Sequence, residues 1–315
     1  MIELKNVTKK YGLNTAVNNL SVKIEDGEIV GFLGPNGAGK STTMNMMTGY
    51  ISTTSGSIEI NGYDILKDAE KAKKLIGYLP EIPPLYMDMT VMEYLGFVYD
   101  FKKVKFDRER HLEDIISRVK IKKVKDRIIK NLSKGYKQRV GIAQALIGNP
   151  EVLILDEPTV GLDPNQIQDM RNLIRDLGKD RTVIISSHIL SEITSVCTKV
   201  MIINHGKLVV YDTINNINEK LVNKSIYVVK IRGGRDVVEK IFKDLDEVKS
   251  VSVERSDEQD VFTYTVTPNE DADIRKLLLN VIDKNNLALL AFDNKKLTLE
   301  DIFLKVTGVK KKGVK

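Results

Sequence analysis

Gly34-Pro35-Asn36-Gly37-Ala38-Gly39-Lys40-Ser41-Thr42 is the stretch on which the fold turns. It reads as glycine, four residues, then Gly-Lys-Ser, and it follows the apolar segment Glu28 to Leu33, so strand, glycine-rich loop and helix start come in that order. Glycines let the backbone wrap closely around phosphate oxygens, while successive amides and the positive end of the following helix face the anion. Lys40 adds a positive charge between the outer phosphates, and Ser41 is placed to hold a magnesium ion. Gly34 to Thr42 are therefore expected to bind a nucleotide. A glycine-rich turn that merely joins strand to helix is the bland alternative, and spacing and context together count against it.

A phosphate loop alone leaves kinases, GTPases and motors open, so the next informative stretch is acidic. Val152-Leu153-Ile154-Leu155-Asp156-Glu157 ends a continuous apolar run with two carboxylates. Such a run suits a strand buried on both faces of a parallel sheet, expected here to sit centrally, and its carboxyl end is where open α/β sheets bind ligands. Asp156 is read as holding magnesium through water, and Glu157 as orienting and deprotonating the water that attacks the terminal phosphate. Standing alone, the pair would pass for two solvated acids at a strand end; after a phosphate loop that reading loses ground.

Outward from these motifs, short apolar segments alternate with amphipathic ones as far as about Val210, the pattern of strands and helices layered on a largely parallel sheet. Ile2 to Val7 and Ala16 to Ile24 read as paired strands, Asn61-Gly62 as a turn after Ile58-Glu59-Ile60, and Thr90-Val91-Met92-Glu93 as a capping box opening a mainly helical stretch that ends near Gly148. The 315 residues are enough for one full core and a smaller second one, and 42% hydrophobic with 29% charged residues is ordinary for a globular protein. The opening MIELKNVTKKYG has no basic leader followed by an apolar core, and nowhere do eighteen apolar residues run together. The chain is thus expected neither to cross a membrane nor to be secreted. Its single cysteine, Cys197, reads as packing in a reducing compartment. The net charge of +6 is spread among acids along much of the chain, so a solvated surface is expected rather than a nucleic-acid partner.

Four further segments carry a resemblance. Lys10-Tyr11-Gly12, Leu132-Ser133-Lys134-Gly135-Tyr136-Lys137-Gln138-Arg139, Gly161-Leu162-Asp163-Pro164 and His188, in this order with the two motifs above, make the sequence similar to the ATP-binding subunits of ABC transporters. The resemblance covers residues 1–211 and implies an α/β phosphate-loop ATPase with an antiparallel β subdomain and a helical subdomain at about 87–150. By that likeness Tyr11 stacks on adenine, Ser133 and Gly135 grip the terminal phosphate of ATP on the opposite subunit, Asp163 belongs to the segment linking hydrolysis to the dimer interface, and His188 helps hold the catalytic water. ATP and Mg2+ are the implied ligands, with Ser41, Glu81 and Asp156 toward the metal and Glu157 and His188 as catalytic groups. The implied partners are a second ATPase subunit, identical or paired, and an integral membrane permease, which puts the chain in the cytoplasm on the inner face of the membrane. A soluble ATPase of the same family acting on nucleic acid or ribosomes is the alternative; the long heptad insertion and the doubled cassette of those types are missing.

Three departures stand inside the match. Glu81 occupies a position where the family most often has glutamine, and Lys134 and Tyr136 replace a Gly and a Gln of the commonest signature. A carboxylate at residue 81 can still ligate magnesium, with a change of local charge. Together with Pro83-Pro84-Leu85-Tyr86 these variants resemble the ATPases of type-two exporters.

Past a linker at 212–223, residues 224–308 read as a small α+β domain: strand Ser225 to Arg232, helix Asp236 to Leu245, strands Lys249 to Arg255 and Val261 to Thr267, helix Asp271 to Asn285, strand Leu287 to Phe292. That order is the split βαβ or ferredoxin-like arrangement. Thr298 to Thr307 resembles the closing helix of type-two exporter ATPases, and 309–315 is a basic tail.

Overall fold

A computed structural model describes residues 1–217, 225–256, 258, 260–269 and 273–296. They fall into two compact units, Met1–Ile214 and a second beginning at Asn215.

In the first unit the alternating strands Ile2–Tyr11 (β1) and Asn14–Ile24 (β2) pair antiparallel and bury Ile2, Leu4, Val7, Val17, Leu20 and Ile24 on one face. The expected strands stop short because the pairing continues through three register shifts. Register slips once in β1, near Asn6, and twice in β2, the first slip near Asn19; Asn6 and Asn19 take left-handed φ of 51° and 52°. Ile29–Leu33 (β3) leads through the phosphate loop into Lys40–Met47 (α1). Ser55–Ile60 (β4) turns at Asn61-Gly62, both at positive φ as a two-residue hairpin needs, into Tyr63–Asp64 (β5). The antiparallel sheet has the order β2-β1-β4-β5.

Ala69–Lys74 (α2) and Ile76–Leu79 (β6) precede three helices: Val91–Phe101 (α3), Arg108–Arg118 (α4) and Lys134–Leu146 (α5). The capping box at α3 is formed, Thr90 accepting from the Glu93 amide while Glu93 accepts from the Thr90 amide at 2.8 Å. Val152–Leu155 (β7), Pro164–Gly178 (α6), Thr182–Ser187 (β8), Leu190–Thr194 (α7), Lys199–Asn204 (β9) and Lys207–Thr213 (β10) complete the unit. The second sheet has the order β10-β9-β3-β8-β7-β6, parallel except for the β9-β10 hairpin. The expectation that Val152–Leu155 sits centrally is corrected here: β3 and β8 occupy the middle, and β7 lies one place from the β6 edge. All four of its residues are nonetheless fully buried; Val152 and Ile154 join the core that the antiparallel sheet and α1 build. The unit also runs past residue 211, because β10 keeps pairing with β9 to Thr213 opposite Lys199.

The second unit contains Ser225–Arg232 (β11), Arg235–Lys243 (α8), Val248–Arg255 (β12), Val261–Pro268 (β13), Arg275–Lys284 (α9) and Ala288–Lys296 (β14). Its sheet order is β12-β13-β11-β14 with all neighbours antiparallel, a split βαβ topology. Phe242 and Val238 of α8 and Leu278 and Ile282 of α9 share one core with Tyr227, Val229, Ile231 and Tyr264. The second helix starts later than Asp271, as Asp273 accepts the Arg275 amide at 3.2 Å and its guanidinium Nε at 2.8 Å. The strand expected to stop at Phe292 continues to Lys296 because β11 offers it partners back to Ser225. The helix expected at Thr298 to Thr307 and the tail at 309–315 lie outside the described residues. No described helix is long and apolar enough to cross a membrane.

Candidate active site

Register decides what meets at the carboxyl edge of the parallel sheet. Leu33 is level with Ser187, Leu155 with Ile185, and Leu79 with Leu155. The phosphate loop after β3, His188 after β8, Asp156-Glu157 after β7 and Pro80-Glu81 after β6 therefore leave the sheet side by side, where open α/β sheets hold ligands. A cavity of about 340 Å3 at this edge is lined by Asn36, Gly37, Gly39, Lys40, Ser41 and Thr42 together with Glu81, Glu157 and His188.

The loop is tied into this shape by its own backbone. The Ala38 amide donates to the Pro35 carbonyl at 3.1 Å, and the Ala38 carbonyl accepts from Gly206 at 2.9 Å. Lys40, only 7% exposed, donates from Nζ to the Gly34 and Pro35 carbonyls at 2.7 and 3.3 Å, so its charge is held at the loop's centre. Burial pushes its pKa down, and Glu157, Asp156 and Glu81 push back. Gly39 has φ 106°, and a Cβ there would stand 2.6 Å from the Ala16 carbonyl, whereas at Gly37, φ 78°, an added Cβ meets nothing within 4 Å. Gly39→Ala should therefore abolish nucleotide binding, while Gly37→Ala should cost only backbone strain of about 1–2 kcal/mol. Equilibrium titration with a fluorescent ATP analogue checks both, and equal losses would mean that strain, not the Ala16 contact, decides.

The acidic pair is organised by a residue that the sequence reading passed over. Ser186 is fully buried on β8, between β7 and β3 in the sheet. Its hydroxyl donates to Asp156 Oδ1 and accepts the Glu157 amide at 2.8 Å, which holds Glu157 at a left-handed φ of 48°. A non-glycine residue kept in that region stores strain that its surroundings must offset, a common feature of functional sites. Glu157 is 8% exposed, and its Oε2 lies 3.0 Å from His188 Nδ1. A carboxylate can only accept, so Nδ1 carries the proton and Nε2 is left free to accept one. Two successive hydroxyls, Ser186-Ser187, ending the apolar run Val183 to Ile185 just before His188, were the available signal for Ser186.

Asp156 borders a neighbouring cleft of about 980 Å3 that it shares with Ser41 and Glu81. In the same cleft Tyr78 donates to Asn45 Oδ1 at 3.2 Å, and burial, then Asp156, pushes its phenol up to about 12. Serine hydroxyl and one or two carboxylates are the hard, sparse donor set that suits magnesium, which keeps waters and phosphate oxygens as its other ligands. Among the described residues no three His, Cys, Asp or Glu gather as a metal cluster.

Other expected site residues stand apart from the phosphate loop within one chain. Ser133 caps α5, and with Gly135 it lines a separate hollow of about 270 Å3 beside Gln166. Asp163 caps α6 by accepting the Gln166 amide at 2.9 Å, with Pro164 opening the helix. Tyr11 is half exposed at the end of β1, with the Lys9 ammonium 5.2 Å from its ring centre, and it is not among the residues lining the phosphate-loop cavity.

A phosphate loop, an acidic strand end and a histidine on one sheet edge define a phosphate-loop nucleotide hydrolase. The family model described as ABC transporter matches residues 17–160. The bacitracin transport ATP-binding protein BcrA of Bacillus licheniformis is 40% identical over 225 residues, 70% of this chain and 73% of BcrA. The linearmycin resistance ATP-binding protein LnrL of Bacillus subtilis (strain 168) is 31% identical over 313 residues, 98% of each chain. Among solved structures, a dimeric post-hydrolysis state of the ATP-binding cassette MJ0796 with ADP and Pi aligns with a TM-score of 0.62 at 25% identity, over 68% of this chain and 98% of that one. The chain belongs to the ATP-binding subunits of ABC transporters, and it is an ATPase whose hydrolysis is coupled to transport.

Proposed function

We propose that this chain powers an exporter of the type-two class by closing, ATP-bound, on a second ATPase subunit and pulling on a separate membrane permease. The observation that carries the reading is the Glu157-His188 pair, 3.0 Å apart, on the cavity that the phosphate loop lines. Glu157 takes a proton from the attacking water, and His188, donating from Nδ1 to Glu157, keeps that carboxylate aimed and presents Nε2 to the phosphate side. Lys40 and the loop amides hold the outer phosphates, and Tyr11 stacks on the adenine. Ser41, Asp156 and Glu81 would hold the magnesium ion, which supplies charge neutralisation on the phosphates.

Ser133 and Gly135 sit at the start of α5, away from their own chain's loop, as fits residues that complete a neighbour's site in a head-to-tail pair. Asp163, capping α6 beside them, belongs to the same seam. The relatives carry transport and resistance names, which supports the exporter reading over the nucleic-acid one.

The permease seat is the cleft beside Glu81. Tyr50, Ile82 and Pro84 line it, and Ile82 is 83% exposed. Tyr94 donates to Pro84 and Gln144 of the same cleft and makes an edge contact with Tyr86, from which a row of rings runs through Phe97 to Phe101, 76% exposed. So much exposed apolar surface beside the hydrolysis site suits a partner helix end, which supports the reading of a chain that works against the cytoplasmic membrane face. Tagged chain drawn from gently solubilised membranes of its own cell should bring a polytopic membrane protein in stoichiometric amount. Recovery with ribosomes or DNA alone would move the reading to the soluble branch of the family.

A further inference from the structure

One carboxylate that the mechanism above does not use lies beside its reacting groups. Glu192, on α7, accepts the Thr159 hydroxyl at 2.7 Å and the Ser187 hydroxyl at 2.9 Å, both on the same oxygen, Oε2. Both hydroxyl-bearing residues are buried, so without this acceptor their donors would be left unsatisfied. Ser187 also accepts the Ile189 amide at 3.0 Å, so the backbone on either side of His188 is gripped at Ser187. On the other arm, Thr159 lies two residues beyond Glu157 in a turn closed by the Val160 amide on the Glu157 carbonyl at 3.2 Å.

These contacts form a ring: Glu157 along the chain to Thr159, across Glu192 to Ser187, on to His188, and back through Nδ1 to Glu157. The His188 side chain is 47% exposed, so packing alone does not set its position. What sets it is where β8 ends relative to β7, and the Glu192 carboxylate measures that distance from outside the cavity.

We propose that Glu192 is a positioning residue for ATP hydrolysis, bracing the turn after Glu157 against the backbone of His188 so that the two side chains keep their mutual placement. This rests on the roles given above to Glu157 and His188. Because a single oxygen accepts both hydroxyl protons, the brace needs an acceptor of this length and not a charge. An amide oxygen can take the same two bonds; a methyl group takes neither.

The test is steady-state ATPase kinetics on the full chain with MgATP, for Glu192→Ala, Glu192→Gln, His188→Ala and the Glu192→Ala/His188→Ala double variant, each checked by thermal melting. Glu192→Ala should lower kcat about tenfold with KM for ATP within about twofold, the signature of misplaced reacting groups on an intact binding site. Glu192→Gln should stay within about threefold of the parent. In the His188→Ala background, removing Glu192 should change little further, because the brace acts through His188. Should Glu192→Ala fail to fold, Thr159→Val removes one arm of the brace at nearly constant volume and should lower kcat in the same sense. Glu192→Ala losing the same factor with and without His188, or Glu192→Gln being as impaired as the alanine variant, overturns the proposal alone. A His188→Ala enzyme at the parental rate overturns it together with the role of His188.

Discussion

Glu157→Gln should hydrolyse ATP about a thousandfold more slowly while binding it with unchanged affinity. The amide keeps the length and planarity of the side chain, and it can still accept from His188 Nδ1 and lie where the carboxylate lies. It cannot take a proton from water. Nothing in the phosphate loop depends on it: the loop is held by Lys40 on the Gly34 and Pro35 carbonyls and by Gly206 on Ala38. Removing one negative charge from the cavity, if anything, favours the nucleotide phosphates. With chemistry stalled and binding kept, the closed pair should accumulate, so gel filtration with MgATP should show a dimer for the variant where the parent runs smaller. A variant turning over at the parental rate would give the role of base to another group.

Lys40→Met should weaken ATP binding at least about a hundredfold. The ammonium is almost wholly buried and desolvated, and burial lowers its pKa against the opposing pull of Glu157, Asp156 and Glu81. Its removal leaves those carboxylates facing incoming phosphates without a counter-charge. It also takes away charge-assisted bonds of about 1.5–3 kcal/mol each, of which one to two suffice for a hundredfold loss. Methionine keeps the unbranched stem, so the packing of α1 against the sheet should survive, while the Gly34 and Pro35 carbonyls lose their donor. A fluorescent-nucleotide titration reads the affinity, and a dissociation constant within about threefold of the parent would mean that the phosphates are held elsewhere.

These two residues, and the loop and strand that carry them, were legible from residue types and spacing. Short-range chemistry writes itself into neighbouring positions: glycines where φ must be positive, a lysine one step past them, an unbroken apolar run before two acids. The split βαβ order of the second unit and the capped start of α3 were legible for the same reason, since alternation, helical spacing and the Thr90-Glu93 capping box are local signals, whereas the Asp163 cap of α6 emerged only in the structure.

Sheet order and register are not local. That β7 lies off-centre, that β8 separates it from β3, and that Ser186 thereby falls between the acids and the phosphate loop follow from which strands pair, a choice made by packing across residues far apart in the chain. The left-handed φ of Glu157 and the reach of Glu192 to Thr159 and Ser187 are consequences of that choice. By itself, then, the sequence determined which chemistry this chain carries, because the groups that hold a phosphate must sit close together along the backbone. Only the tertiary structure decided how the groups that cleave it are aimed, because Glu157, Ser186 and His188 are joined through the sheet and not through the chain.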